Sequence, residues 1–113
     1  MFNIVQGRLG DELYKSDWAL SGVVTTRNCE MRSFIAVNKS GATAWIQLYD
    51  TASGAPDGTA DEYPLPANSV LSINDLRFRN GIYWQAVTAA DGDTEIGGRD
   101  IKVRCDFHSG PIV

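Results

Sequence analysis

The chain has 113 residues, of which 43% are hydrophobic and 21% are charged, with a net charge of −4 at neutral pH. This length indicates one domain, and the apolar fraction is too high for a disordered chain. The negative charge disfavours nucleic-acid binding through a basic face. The longest apolar runs, such as 34–37, are far shorter than the roughly 20 residues of a membrane-spanning helix, and the first residues lack the pattern of a secretion signal. We expect a folded domain that binds neither nucleic acid nor membrane.

Apolar and polar residues alternate with a period of two along most of the chain, and turn residues separate the alternating segments, which is typical of an all-β protein. No segment has helical apolar spacing free of Gly, Pro or β-branched interruptions. Residues 1–12 mix apolar side chains with glycines, and we predict a short strand or an extended N-terminal arm. Residues 14–26 are predicted to form a strand in which Gly22 marks a bulge or bend.

Residues 31–38 are apolar on both faces, which favours a central strand. They are followed by the turn sequence 38–41 and by a second strand at 43–49, so that 31–49 is predicted to form a hairpin. Proline excludes 62–66 from the middle of a sheet and indicates an edge strand or an extended connector. The further predicted elements are a loop at 50–60, strands at 70–74, 82–88 and 101–107, and tight turns at 80–81 and 91–93.

About seven or eight strands are predicted in total, enough for two packed sheets. We therefore predict an antiparallel β-sandwich over residues 13–108, with an N-terminal arm at 1–12 and a C-terminal tail at 109–113. The aromatic residues predicted for its core are Trp18, Phe34, Trp45, Phe78, Trp84 and Phe107.

The two cysteines, Cys29 and Cys105, lack the close Cys or His spacing of a zinc site. The sequence does not decide whether the two cysteines form a disulfide, although buried free thiols are favoured without a secretion signal. Cys105 shares an alternating face with Ile101, while His108 lies at odd spacing from it and so on the opposite face of a strand. This geometry disfavours a Cys–His nucleophile.

Clusters of acidic residues can be interpreted as metal sites or as solvated turns. Asp91, Asp93 and Glu95 have oxygen ligands suited to calcium, but a solvated hairpin tip is favoured, as it is for the acidic loop at 57–62. Paired carboxylates do not by themselves indicate a glycosidase. We expect no metal, no cofactor and no catalysis. Sugar binding through loop aromatics stays as an alternative, with the tyrosines Tyr14, Tyr49, Tyr63 and Tyr83 as candidates.

Basic residues alternate on two predicted strands. Arg77 and Arg79 flank Phe78, and Lys102 and Arg104 repeat the arrangement on the last strand. Each pair is explained by a solvated strand face. If the two strands are neighbours, the four cations form one basic face on an acidic protein, suited to an acidic partner because arginine binds carboxylates in a bidentate manner.

The middle of the chain resembles a group of small β-sandwich proteins of tailed bacteriophages and prophages. The resemblance lies in an Asn-x-Ser-Gly-Ala turn followed by Ile-Gln-Leu-Tyr-Asp, in Leu-Pro-Ala, and in Leu-x-Phe followed by Gly-Ile. The segments that carry it are 37–50, 55–58, 63–73 and 76–82. It covers about half the chain, and it implies a virion structural protein without catalysis: a capsid decoration (cement) protein or an accessory part of the neck, tail or fibre.

On this resemblance, the expected partners are the major capsid protein or other virion proteins, together with further copies of this chain as a homo-oligomer. The expected location is the capsid surface of the virion, after synthesis in the host cytoplasm. A carbohydrate-binding adhesion module is the alternative from another class. The residues expected to bind a partner lie at the chain ends and on the basic strands; they are Phe2, Ile4, Val5, Arg77, Arg79, Lys102, Arg104 and Ile112.

Overall fold

A computed structural model describes residues 11–53, 60–92 and 94–109. These residues form strands and no helix, so none of them belongs to a helix that could cross a membrane. The strands are β1 (Asp11–Lys15), β2 (Ser21–Thr25), β3 (Cys29–Asn38), β4 (Ala44–Tyr49), β5 (Asp61–Leu65), β6 (Ser69–Phe78), β7 (Ile82–Val87) and β8 (Ile101–Ser109).

The eight strands form two antiparallel sheets packed face to face, which confirms the predicted β-sandwich. The first sheet has the order β1-β8-β3-β6 and the second has the order β2-β7-β4-β5. As predicted, β3 is central and the proline-containing β5 is an edge strand.

Alternation along the strands divides core from surface. In β8 the side chains of Ile101, Val103, Cys105 and Phe107 are buried, while those of Lys102 and Arg104 are exposed. Phe34 and Trp84 are fully buried where the two sheets meet. A β-strand places successive side chains on opposite faces, so each sheet has one core face and one outer face.

The hairpin predicted for 31–49 is wrong, because β3 belongs to the first sheet and β4 to the second. The turn after β3 instead carries the chain across the sandwich. Asn38, which is 1% exposed, stabilises this crossing. Its amide donates hydrogen bonds to the carbonyl oxygens of Ala42, Leu65 and Pro66, and its Oδ1 accepts one from the Ser40 N–H.

Two of the aromatic residues predicted for the core, Trp18 and Trp45, are only partly buried. Ala44 and Ile46 point into the core, so alternation places Trp45 on the outer face of the second sheet. Trp18 lies in the connection after β1. The other four predictions are confirmed, since Phe34, Phe78, Trp84 and Phe107 are buried.

The strands extend beyond the predicted domain limits. Asp11 and Glu12, assigned to the arm from the sequence, belong to β1, and Ser109, assigned to the tail, belongs to β8. They pair because β1 runs antiparallel to β8, with Asp11 opposite His108, and the Ser109 hydroxyl donates to the Glu12 carboxylate. The rest of the predicted arm and tail, 1–10 and 110–113, lies outside the described residues.

The single strand predicted for 14–26 is wrong, because 14–15 belong to β1 of the first sheet and 21–25 form β2 of the second. Gly22 lies in β2, and the register shift in that strand falls later, between Val23 and Thr25. A side chain at Gly22 would meet the Tyr14 hydroxyl and the Trp84 indole. This glycine therefore makes room for the contact in which Trp84 Nε1 donates to the Tyr14 hydroxyl, at 3.2 Å.

Candidate partner-binding face

The outer face of the first sheet carries apolar side chains that are open to solvent. Among the described residues, the exposed large hydrophobic side chains are Leu13, at 48%, and Val70, at 63%. Leu13 lies opposite Asp106 of β8, and Val70 lies opposite Val37 of β3, so both project from this one face. They lie on the two edge strands of the sheet, and half-buried Ile35 and Val37 of β3 lie between them on the same face, so apolar side chains extend across this face.

A groove of about 400 Å³ lies on the same face, at the end of β1. Its volume falls in the range of small-ligand sites, roughly 300–1,000 Å³. Strands β1, β8 and β3 all contribute to its lining, which combines cationic and aliphatic side chains. The lining residues are Lys15, Ser16, Ile35, Val37, Lys102, Val103 and Arg104.

The backbone after β1 shapes one wall of the groove. The Ser16 N–H donates to the Val103 carbonyl at 2.9 Å, and the Ser16 hydroxyl accepts from the Val103 N–H at 2.8 Å. The Ala19 N–H then donates to the Ile101 carbonyl at 2.7 Å. Between these contacts the chain departs from β8, and Trp18 lies beside two lysines: Lys39 Nζ is 4.2 Å from the ring centroid and Lys102 Nζ is 5.0 Å from it.

The cations around the groove have no carboxylate partner among the described residues. Lys15 is directly opposite Arg104, and Lys102 lies two residues further along β8 on the same face. The ion pairs of the described residues join Arg27 to Glu12 and Arg32 to Asp11 and Glu30, and His108 contacts Asp11. Like charges directly opposite each other on a sheet destabilise it, so the fold itself gains nothing from this arrangement.

Arg77 and Arg79 do not join this group. The single basic face required β6 and β8 to be neighbours, but β3 lies between them. Arg77 is opposite Glu30, and Arg79 follows β6, where its backbone N–H donates to Asp50 Oδ2 at 3.1 Å. Of the predicted partner-binding residues, Lys102 and Arg104 therefore come together, while Phe2, Ile4, Val5 and Ile112 lie outside the described residues.

Lys15, Lys39 and the aliphatic pair Ile35 and Val37 were not identified from the sequence. The period of two places Lys15 on the same face as Leu13, which was a usable signal. Its position opposite Arg104 depends on the pairing of β1 with β8, the first and last strands of the described chain. Such long-range pairing leaves no local pattern.

Several polar groups on the outer face of the second sheet are hydrogen-bonded to one another, whereas the buried Gln85 Oε1 has no partner among the described residues. Gln47 Nε2 donates to Glu62 Oε2 and to the Gly92 carbonyl, both at 2.8 Å, and the Tyr49 hydroxyl donates to Gln47 Oε1 at 2.9 Å. The Asp91 N–H donates to both Glu62 oxygens. The hydrogen bond from Gln47, followed by those from Asp91, holds the pKa of the Glu62 carboxyl below its usual value.

The tyrosines considered for sugar binding lie in strands rather than in loops. Tyr49 and Tyr83 are buried, with ring centroids 5.9 Å apart, and Tyr14 and Tyr63 are half-buried. Sugar-stacking sites need an open ring face, and neither Tyr49 nor Tyr83 offers one.

The acidic turn at 91–95 is described only in part, because Asp93 is outside the described residues, as is Asp57 of the other acidic loop. The described residues contain no group of three side chains that could hold a metal. Both cysteines are free and buried, and burial raises the pKa of Cys29 to about 11 and that of Cys105 to about 12. His108 Nδ1 lies 3.1 Å from Asp11 Oδ1, on the outer face opposite to Cys105, as predicted.

Comparisons with protein-family models, with curated proteins and with solved structures found no match to this chain.

Proposed function

We propose that this protein is a non-catalytic structural component of a bacteriophage virion, a capsid decoration (cement) protein that binds through the outer face of its first sheet. The proposal rests on one observation: exposed Leu13 and Val70 share that face with three cations that have no carboxylate partner among the described residues, namely Lys15, Lys102 and Arg104. The resemblance of the turn and strand motifs to those of small phage β-sandwich proteins supports the choice of class.

The composition of this face suits a protein partner. Protein interfaces combine apolar anchors with charged groups at their margin, and arginine is enriched in them. The cations bind carboxylates, so the partner has an acidic surface, and that partner is the major capsid protein or another virion protein. Further copies of this chain occupy equivalent positions on the shell.

The mechanism is binding energy alone. A protein that binds only the assembled shell stabilises that state by mass action. Each copy buries apolar and ionic contacts between neighbouring capsid subunits, and many copies together raise the resistance of the shell to internal pressure.

Mass spectrometry of particles from the phage or prophage that encodes the chain tests the proposal. Copies comparable in number to the capsid subunits support decoration. A few copies per particle instead support a neck, tail or fibre accessory protein. Absence from the particles overturns the virion proposal, and a glycan array then tests the carbohydrate-binding alternative.

A variant pair locates the binding face. Val70→Glu places a carboxylate at a side chain that is 63% exposed, so folding is expected to be retained while particle association is lost. Thr88→Glu adds the same charge at an exposed position following the second sheet and is expected to associate normally. Equal association of both variants contradicts the assignment of this face.

A further inference from the structure

The groove at the end of β1 differs from the rest of the outer face because its charged side chains are regularly spaced and lie beside aliphatic side chains. Lys102 and Arg104 are two residues apart on β8, which separates their Cα atoms by roughly 7 Å. Lys15 lies across from Arg104, with Cβ atoms roughly 5 Å apart. Half-buried Ile35 and Val37 of β3 lie beside them, opposite Arg104 and Lys102 respectively.

From this geometry we infer that the groove binds an extended acidic segment of a partner protein, with glutamates at alternate positions. An extended chain repeats its side chains on one face at the same interval of roughly 7 Å, so two such carboxylates meet Arg104 and Lys102 together. The identity of the partner as a virion protein rests on the proposed function; the chemistry of the groove does not.

Recognition depends on side chains rather than on the addition of a strand. In this region β8 is already hydrogen-bonded to β3 on one side and to β1 and Ser16 on the other. No ladder position on β8 is left here for a peptide backbone. Glutamate fits better than aspartate, because its extra methylene group reaches over Ile35 and Val37 while the carboxylate contacts the cations. Charge-assisted hydrogen bonds to arginine are the stronger kind and are often bidentate.

A nucleic-acid strand is also anionic, but the groove suits it less well. Single-stranded nucleic acids are bound by open aromatic faces on which bases stack. The aromatic ring near this groove is Trp18, and two lysine ammonium groups lie against it. The net charge of −4 also opposes a polyanion that extends beyond the groove.

Fluorescence anisotropy with the full chain and labelled, capped peptides tests the inference. The probe is Ser-Glu-Ser-Glu-Ser-Glu-Ser, and the matched control is Ser-Glu-Glu-Ser-Ser-Glu-Ser, which has the same composition and charge but no two glutamates two positions apart. We expect the alternating peptide to bind about tenfold more tightly, the equivalent of one charge-assisted hydrogen bond. The aspartate version of the probe is expected to bind more weakly than the probe, and binding is expected to fall as salt is added.

Variants of exposed residues place the binding site. Arg104→Gln and Lys102→Gln are each expected to weaken binding about tenfold. Arg77→Gln removes the same charge from another part of the same outer face, and less than about a twofold loss is expected there. Thermal unfolding of each variant shows that the fold is retained.

Three results overturn the inference: equal binding of the two peptides, equal losses for Arg77→Gln and Arg104→Gln, or tighter binding of a single-stranded oligonucleotide than of the alternating peptide. The proposed function fails separately. If the chain binds the peptides in a spacing-dependent way but is absent from particles, the inference about the groove holds and the virion function is rejected. If the chain associates with particles but shows no spacing-dependent peptide binding, the virion function holds and the inference about the groove is rejected.

Discussion

The outer faces of the two sheets differ in how their polar and charged side chains are bonded. On the second sheet, Gln47 is 2% exposed and connects β4 to Glu62 of β5 and to the Gly92 carbonyl in the loop after β7. On the first sheet, Lys15, Lys102 and Arg104 are exposed, adjacent and without a carboxylate partner among the described residues. The core behind the two faces is the same.

This difference indicates which outer face contributes to the stability of the fold. A buried polar group that lost its partners would cost free energy, so the hydrogen bonds of the second sheet contribute to stability. Adjacent like charges in solvent contribute nothing or oppose folding. Substitutions on the second face should therefore reduce stability, whereas those at the cations of the first should reduce binding and leave stability unchanged or improved.

The largest expected effect comes from the shared core. Trp84→Ala removes a fully buried indole and should cost about 3–5 kcal/mol, as large aromatic truncations in cores do. Trp45→Ala should cost less than about 2 kcal/mol, because this side chain is only half-buried on the outer face. Chemical denaturation of both variants measures the difference. Equal losses would show that Trp45 belongs to the core after all.

Gln47→Ala should cost about 2–3 kcal/mol. It removes the amide that donates to Glu62 and to the Gly92 carbonyl, together with the Oε1 that accepts from the buried Tyr49 hydroxyl. Ser72→Ala, at an exposed position of the first sheet, is the control and should stay within about 0.5 kcal/mol of the wild type. Equilibrium unfolding in urea gives both values. A loss for Gln47→Ala no larger than that for the control would contradict the contrast between the faces.

Arg104→Gln should raise the free energy of unfolding by about 0.2–1 kcal/mol, since it removes a cation directly opposite Lys15. The gain should shrink in high salt, which screens exposed charges. Arg77→Gln is the matched control, and it should show no gain because Arg77 lies opposite Glu30. Thermal unfolding at low and high salt checks both variants. A loss of stability in Arg104→Gln would mean that this arginine has a structural partner.

The smallest expected effect is a dependence on pH. The pKa of Glu62 is lowered in the folded protein by hydrogen bonds from Gln47 and Asp91, against an unperturbed value of 4.5. Its contribution to stability is therefore fully present above pH 4.5 and is lost as the pH falls through the lower folded value. Glu62→Gln should remove this component of the acid titration, measured as the free energy of unfolding against pH. An unchanged titration would show that Glu62 gains no stabilisation from these bonds.

Local patterns in the sequence predicted most of the strands and the sandwich, because alternation and turn residues reflect local backbone preferences. They did not predict which strands pair. The turn at 38–41 suits a hairpin, yet the chain crosses between sheets there. The Asn38 amide stabilises the crossing, because it donates to Ala42 in the β3–β4 connection and to Pro66 in the β5–β6 connection. Trp45 was misplaced for a related reason: both faces of β4 are largely apolar, and only the position of the strand in its sheet shows which face is inside.

The candidate site was predictable only in part. Lys102 and Arg104 could be identified by their alternation in β8, but the expected companions, Arg77 and Arg79, lie beyond β3. The actual neighbour, Lys15, comes from the other end of the described chain. A binding surface formed by three strands from distant parts of the chain depends on the strand order, which the sequence alone does not specify.

The pairing of β1 with β8 also has a consequence for engineering. Asp11 and Ser109, the first and last residues of the paired strands, lie at the same corner of the sandwich, because Asp11 is opposite His108. The groove residue Lys102 lies seven positions from Ser109 along β8, roughly 23 Å away at the usual rise per residue. Domains whose ends lie close together tolerate circular permutation and insertion well. Cargo attached directly at Asp11 or Ser109 would be held at this corner, so the described domain could serve as a display scaffold in which the groove stays free.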